Sequence, residues 1–439
     1  MRVNTLTGLL DGGAAVGAIR LHLALRGRGV DSRLFYPSRL SRHDSPVEAS
    51  SVAPFVRQFP GDLAKSVSFR MHRVGVKRAL KGRSKRYEIF TSPRGSAASR
   101  WKQQAGPLPE TTQEVMHLHW ISKFLDWATF FPSLSSQAPV IWTLHDMNPF
   151  TGGCHFSHGC TRFRSGCGRC PQLAAGDAVN RVENDLSHQF FVAKQGALQG
   201  IDLDVVAPSR WMLNQAEASA MFPAATRFHH IPYGIPLDDY HPVGRGDCRA
   251  ALDIDDDTFV FLFGAAELGK ERKGMKELIA ALSGLNGLNR SVLGLFFGSG
   301  ELIADQGELP PVRSVGYVQD LTLQRMIYSA ADVFVLPSLE DNLPFTGLES
   351  IACGTPIVAF NNGGIPDYVL PGRTGLLAES GCIDELGSHL RTMAEQPTLA
   401  LRLGRQAREF AVAHHDIDHE ASKYESLYAA TLQRSSRVA

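Results

Sequence analysis

Short apolar runs alternate with amphipathic stretches along most of the chain, the pattern of α/β domains. VNTL, from Val3, reads as a buried strand, and a turn at Asp11-Gly12-Gly13 follows it. Ala15, Ile19 and Leu23 then recur at helical spacing, with Gly27 and Gly29 ending the helix. DSRLFYP, from Asp31, predicts the next strand, so the opening is β-loop-α-β. Strand patterns resume at Glu114–Trp120, Pro139–Asp146 and Asp204–Ala207, and near His229–Pro232. The stretch IPYGIPLDDYHPVGRGD is punctuated by Pro and Gly and predicts an interdomain linker. A second series follows: TFVFLFGA, a helix from Met275, VLGLFFGSG, SVGYV, a helix from Leu321, ADVFVLPS, a helix from about Thr346, and PIVAF. The expected architecture is α/β, with two Rossmann-like domains facing across a cleft. The first spans residues 1–235 and the second 245–415, with a last helix near 418–434 crossing back onto the first.

Residues from Ser41 to about Thr112 are rich in Ser, Arg and Pro and carry a weaker period. Within them Leu63, Val67, Met71 and Val74 fit one helical face. The window Lys65–Arg86 holds nine Lys or Arg and no Asp or Glu. Such a basic amphipathic segment predicts a solvated face or a contact with anionic lipid or a lipid diphosphate.

Composition narrows the class. At roughly 100–200 residues per domain, 439 residues hold two or three domains. Lys+Arg 45 against Asp+Glu 44 gives a net charge of +1, which argues against a nucleic-acid coater. Mean hydropathy is −0.11 and no apolar run reaches the length of a spanning helix. The opening residues lack the apolar core of a signal peptide. With a cysteine cluster suited to reduced thiols, this predicts a cytoplasmic address, peripheral at the inner membrane face.

The candidate chemistry concentrates in Pro337–Phe360, PSLEDNLPFTGLESIACGTPIVAF. It runs strand end, loop, helix, Gly turn, strand, and ligands of open α/β sheets bind at such strand ends. Pro344 precedes the helix, and the N–H groups of Phe345, Thr346 and Gly347 would suit an anion such as a pyrophosphate. The stretch resembles the signature of retaining GT-B glycosyltransferases of family 4, two acids separated by seven residues. EDNLP and the following CGTP turn are similar to the capsule, exopolysaccharide and colanic-acid-type subgroup, which carries a Cys-rich insert. The resemblance continues in order through Gly12-Gly13, TLHD at Thr143–Asp146, APSRW at Ala207–Trp211, Gly234-Ile235, Lys273-Gly274 and Gly298-Ser299-Gly300.

That resemblance implies a transferase that moves a sugar from a UDP- or GDP-sugar to a hydroxyl, with retention and without a metal in the chemistry. The acceptor would be a glycan or a polyprenyl-diphosphate-linked oligosaccharide in polysaccharide biosynthesis. Glu349 would accept from the ribose hydroxyls, Asp341 would face the donor sugar, Lys273 would neutralise the leaving diphosphate, and His145 would sit beside the anomeric centre. Gly12, Gly13, Gly298, Asn342, Leu343, Pro344 and Phe345 would line the donor. Two departures stand out. The first acidic position is Asp341 with Glu340 one residue out of step, and either could face the sugar. The family's Arg before the Lys is absent from Gly264-Ala265-Ala266-Glu267, so either Lys270 or Arg272 would supply the second cation or the site has one fewer. A non-catalytic sugar-nucleotide binder and a sugar-nucleotide 2-epimerase share the fold and stay open.

Simpler readings compete at several positions. Thr346-x-x-Glu349 reads as a capping box. His119 reads as core or cleft lining. The Asp202/Asp204 and Asp253/Asp255 pairs read as surface turns. Cys154, Cys160, Cys167 and Cys170 form C-x5-C-x6-C-x2-C. Four thiols ending in C-x2-C suit a tetrahedral structural zinc, and a loop of free or paired cysteines is the alternative.

Overall fold

The computed structural model describes residues 1–37, 49–52, 60–81, 89–95, 113–134, 139–174, 180–300 and 310–438. Arg83, Lys85 and Arg86 of the basic window lie outside the described residues. The chain divides into two compact units, Met1–Ile231 with Ala421–Ala439, and Pro232–Glu420.

The first unit is built on seven parallel strands: β1 (Arg2–Leu6), β2 (Asp31–Pro37), β3 (Ala49–Val52), β4 (Glu114–Leu118), β5 (Val140–Thr143), β6 (Leu203–Ala207) and β7 (Arg227–His230). Their order is β3-β2-β1-β4-β5-β6-β7. Every residue of β1, β5 and β6 is buried, as parallel strands covered on both faces require. The helices include α1 (Gly12–Gly27), α2 (Pro60–Ala79), α3 (Leu186–Ala197) and α4 (Arg210–Glu217). Asp185 caps α3, its carboxylate accepting from the Ser187 and His188 amides.

The second unit has six parallel strands: β8 (Phe259–Glu267), β9 (Val292–Ser299), β10 (Val312–Gly316), β11 (Val333–Leu336), β12 (Ile357–Phe360) and β13 (Gly375–Ala378). Their order is β10-β9-β8-β11-β12-β13. Its helices are α5 (Arg245–Ala251), α6 (Met275–Ala281), α7 (Leu321–Ala330), α8 (Phe345–Ala352), α9 (Ile383–Glu395) and α10 (Pro397–His414). The sheet's strand order reverses between β8 and β11. The loops leaving those two strands therefore diverge and open a crevice at their carboxyl ends. The last helix, α11 (Ile417–Val438), places Ala421, Tyr424, Leu427, Tyr428 and Leu432 in the first unit's core with Val3, Leu21, Val115 and Ile141. No described helix is long and apolar enough to cross a membrane.

Three expectations are corrected. The expected linker is partly structured, because α5 starts at Arg245 within it. Met71 and Val74 do not form the buried face of α2; they are exposed, and Val76 and Leu80 pack instead beside Phe90 and Phe190. Asp204 is not a surface turn. It lies in β6, fully buried, and accepts from Arg227 Nε at 2.9 Å, His229 Nε2 at 2.7 Å and Thr431 Oγ1 at 3.0 Å. A buried carboxylate needs such partners to remain charged. Burial pushes its pKa up, but the His229 and Arg227 contacts outweigh that and hold it well below the usual range.

Candidate active site

The crevice of the second unit collects most of the residues singled out from sequence. The loop after β8 brings Arg272 and Lys273, and the loop after β11 brings Glu340 and Asp341. Lys273 Nζ donates to Asp341 Oδ2 at 2.6 Å, and Arg272 Nη1 lies 3.2 Å from the same oxygen. Arg272 also donates to the Glu340 carbonyl at 2.8 Å, and the Leu339 amide donates to the Arg272 carbonyl at 2.8 Å. Ser338 Oγ and the Asn342 amide complete the partners of Asp341, at 3.3 and 3.1 Å. Burial raises the Asp341 pKa, but the Lys273 and Arg272 charges prevail and hold it at about 2. The Asp341 carboxylate thus meets both cations. Arg272 stands beside Lys273 as a second positive charge on that carboxylate.

Two glycine positions make this approach possible. Gly274 has φ +74°, and a Cβ there would stand 1.8 Å from the Pro337 carbonyl oxygen. Gly363 has φ +58°, and a Cβ there would stand 1.9 Å from the Asp341 carbonyl oxygen. Only a residue without a side chain lets either turn press against the 337–341 loop. Gly298 closes the end of β9 against the Ala265 carbonyl in the same way.

Asn342, Leu343 and Pro344 lead into α8, and Phe345 opens it, its ring stacked on Tyr233 with centroids 4.6 Å apart. The N-cap is Pro344, without a side-chain cap, so Thr346 and Glu349 do not form a capping box. The Gly347 amide is also not open to a ligand; it donates to the Pro344 carbonyl at 3.1 Å, closing a tight first turn. Glu349 is only 8% exposed and accepts from Tyr328 OH at 3.1 Å. Burial raises the Tyr328 phenol well above its ordinary value, and the Glu349 charge adds to this, so Tyr328 stays a donor. Glu340, Asp341 and Glu349 thus put three buried carboxyl side chains in one loop and helix start. That concentration is costly for a fold and makes this stretch the candidate site.

The first unit holds His145, just beyond β5, half-buried. Its Nε2 lies 2.8 Å from His119 Nδ1, and the two rings stack with centroids 5.1 Å apart. His119 is buried, and its Nε2 has no hydrogen-bond partner among the described residues. Next to His145, Asp146 accepts from Trp120 Nε1 at 2.8 Å and the Asn148 amide at 2.8 Å, and pairs with His155 Nδ1 at 2.6 Å. Gly12 begins α1 with φ +77° and Gly13 is exposed beside it. Sequence reasoning missed Tyr328 and Tyr233, which stand in no recognisable spacing, and the pairing of Asp146, the last residue of TLHD, with His155. The Asn361-Asn362-Gly363-Gly364 turn could have been found from its glycine pair after an apolar run.

Burial pushes His145 down to about 4, with Asp146 opposing. Burial, aided by His145, pushes His117 down to about 3. Both are neutral at pH 7. Their folded pKa values lie below the unfolded value of 6.5, so the unfolded chain takes up protons first as pH falls. Their stabilising contribution is therefore complete above pH 6.5 and is lost on acidification, down to about 4 for His145 and about 3 for His117. The slope is about 1.4 kcal/mol per pH unit per histidine. The melting temperature should fall steadily between pH 6.5 and pH 4; a flat profile there would contradict this account.

Residues 245–410 match the family model described as Glycosyl transferases group 1. A D-inositol 3-phosphate glycosyltransferase of Pseudarthrobacter chlorophenolicus is 30% identical over 198 residues, covering 41% of this chain and 45% of that protein. The chain spans about half the length of the curated relatives of this kind that it matches first. In fold, it superposes on sucrose-phosphate synthase from Thermosynechococcus elongatus with TM-score 0.65, at 18% identity over 99% of both chains. The Anabaena HepE protein in complex with UDP-glucose gives TM-score 0.63, at 16% identity, over 98% of this chain and 100% of that one. The chain therefore has the GT-B fold, and its residues 245–410 are similar to the Glycosyl transferases group 1 family.

Proposed function

We propose that this protein is a retaining glycosyltransferase that uses a UDP- or GDP-sugar. It transfers the sugar to a hydroxyl of a glycan or lipid-linked oligosaccharide in polysaccharide biosynthesis, at the cytoplasmic face of a membrane. The observation that carries this reading is the meeting of Lys273 and Arg272 on buried Asp341, in the crevice where the second sheet reverses its order. Breaking a glycosyl–phosphate bond builds negative charge on the departing diphosphate. Two fixed cations in a buried site stabilise that charge without reorganising. On entry of the donor, Lys273 and Arg272 exchange part of their hold on Asp341 for diphosphate oxygens, and Asp341 turns to the sugar hydroxyls. Glu349, an acceptor-only carboxylate, takes the ribose diol. The related fold of HepE was solved with UDP-glucose, which agrees with a nucleotide-sugar donor.

The first unit is assigned the acceptor. Arg70, Arg73, Lys77, Arg78 and Lys81 are exposed on or just after α2. A cavity of about 220 Å³ beside that helix is lined by Arg73, Lys77, Arg94 and Lys123, chemistry that suits a phosphate-bearing lipid or headgroup. Co-sedimentation should occur with phosphatidylglycerol vesicles and weaken with salt. Equal binding to phosphatidylcholine, or none to either, would remove the peripheral-membrane reading.

A thermal-shift panel of UDP, GDP, ADP, NAD and a short oligonucleotide tests the donor. A ligand at about 100 times its Kd stabilises by about 2.7 kcal/mol, a shift of a few degrees. UDP or GDP should raise the melting temperature while NAD and the oligonucleotide do not. A shift with NAD alone, or with no nucleotide, would overturn the transferase reading.

A further inference from the structure

The four cysteines of the first unit play no part in the chemistry above, yet the fold gathers them. Among the described residues of 151–185 there is no α-helix or regular strand, only short 3-10 turns and an isolated bridge between Phe90 and Cys154. A compact irregular segment of that length needs something besides a regular ladder to hold it. Cys154, Cys160, Cys167 and Cys170 all line one small cavity of about 20 Å³, room for one water-sized body. No disulfide joins them.

The local backbone is bent around that cavity. His158, Cys167 and Arg169 have φ of 49°, 58° and 44°, the left-handed region that non-glycine residues rarely occupy. Gly166 and Gly168 flank Cys167 with φ of 103° and 96°. Cys167 and Cys170 both line the cavity that this turn borders. The Gly152 amide donates to Cys167 Sγ at 3.2 Å, a contact that favours a thiolate. Such strain persists only where the surroundings hold it.

Charge points the same way. Lys194 is fully buried beneath this loop, donating to the carbonyls of Asn148 at 2.6 Å and Thr151 at 3.1 Å. Burial lowers its pKa to about 8, while Cys154 and Cys167, as thiolates, would act in the opposite direction. The Lys194 ammonium also donates to Asn148 Oδ1 at 3.2 Å and lies 5.0 Å from the Trp127 ring centroid, contacts that carry no full negative charge. Beside four thiolates on a divalent cation, whose net charge is −2, it has a partner.

We propose that Cys154, Cys160, Cys167 and Cys170 bind one zinc ion that staples this loop. Binding replaces four S–H bonds by four Zn–S bonds and releases four protons to solvent. Among the described residues no set of three or more His, Cys, Asp or Glu is already drawn together as a metal-ligand group. Four neutral thiols have no attraction that would draw them onto a single point. The ion supplies that attraction. The staple also reaches the neighbourhood of His145, since Cys154 precedes His155, the partner of Asp146. Its role is positional.

The test is elemental analysis of the purified full chain together with thiol titration in the folded state. About one zinc per chain is expected, released when an organomercurial titrates the cluster. Cys167→Ser and Cys170→Ser should lower zinc content at least tenfold, while Cys353→Ser and Cys382→Ser leave it unchanged. If the cluster variants fail to fold, zinc release from the wild-type chain, measured against the number of thiols titrated, decides alone. Four reactive thiols without zinc, a disulfide within the cluster, or iron in place of zinc would overturn the proposal. Because the readout is metal content, it can fail while the transferase reading stands, and the reverse.

Discussion

Lys273→Met lowers kcat/KM for the nucleotide-sugar donor by about 10²–10³-fold, the usual cost of removing one group that meets charge developing in a transition state. Methionine keeps most of the stem and removes only the ammonium that stands 2.6 Å from Asp341 Oδ2. The remaining cation, Arg272, still holds the Asp341 carboxylate and the Glu340 carbonyl, so the loop keeps its main anchor. The loss therefore falls on kcat more than on KM, because the missing charge matters most when the diphosphate departs. Lys273→Arg should recover part of the rate. Steady-state kinetics with matched melting curves separate this from unfolding. If Lys273→Met retains kcat/KM within about tenfold, a barrier change near 1.4 kcal/mol, the leaving-group role is wrong.

Glu349→Ala weakens donor binding to a comparable extent, by a different route. The carboxylate is buried, is held by Tyr328 OH at 3.1 Å, and on the proposed reading accepts from both ribose hydroxyls. Hydrogen bonds to a charged group contribute about 1.5–3 kcal/mol each, so losing them weakens nucleotide affinity by about 10²-fold or more. The same substitution leaves the Tyr328 hydroxyl buried without this acceptor and costs about 1–3 kcal/mol of stability. Calorimetric titration with UDP or GDP, run well below the variant's melting temperature, distinguishes the two effects. Unchanged affinity with a lowered melting temperature would make Glu349 a structural acceptor for Tyr328 and nothing more. Glu349→Gln keeps one acceptor oxygen and should fall between the two.

The strands were legible because each core strand is a short apolar run. VIWT, VFVL and IVAF are entirely buried, and nothing distant is needed to recognise them. The helix of the basic segment was legible as a helix but not in its facing. Met71 and Val74 fit an apolar stripe by spacing, yet Val76 and Leu80 are the residues that meet Phe90 and Phe190. A period locates a stripe; it does not say which neighbouring element will cover it. Asp204 was misread for the same reason. Its short polar side chain suits a turn, and only the pairing of β6 with β7 and the return of α11 surround it with Arg227, His229 and Thr431.

By itself, the sequence determined that the chain makes two α/β units. It also set which short motifs stand at the strand ends, where Lys273, Asp341 and Glu349 are found, because apolar runs and turn residues act over a few neighbours. The tertiary structure alone decided which groups meet. Lys273 and Asp341 are 68 residues apart, Tyr328 and Glu349 are 21 apart, and His119 and His145 are 26 apart. Those distances close because the order of strands in each sheet brings separate loops to one edge. That order follows from the packing of whole elements, which no local pattern encodes. The meeting of Asp341 with both Lys273 and Arg272 was of this kind, since it joins the loops after two different strands.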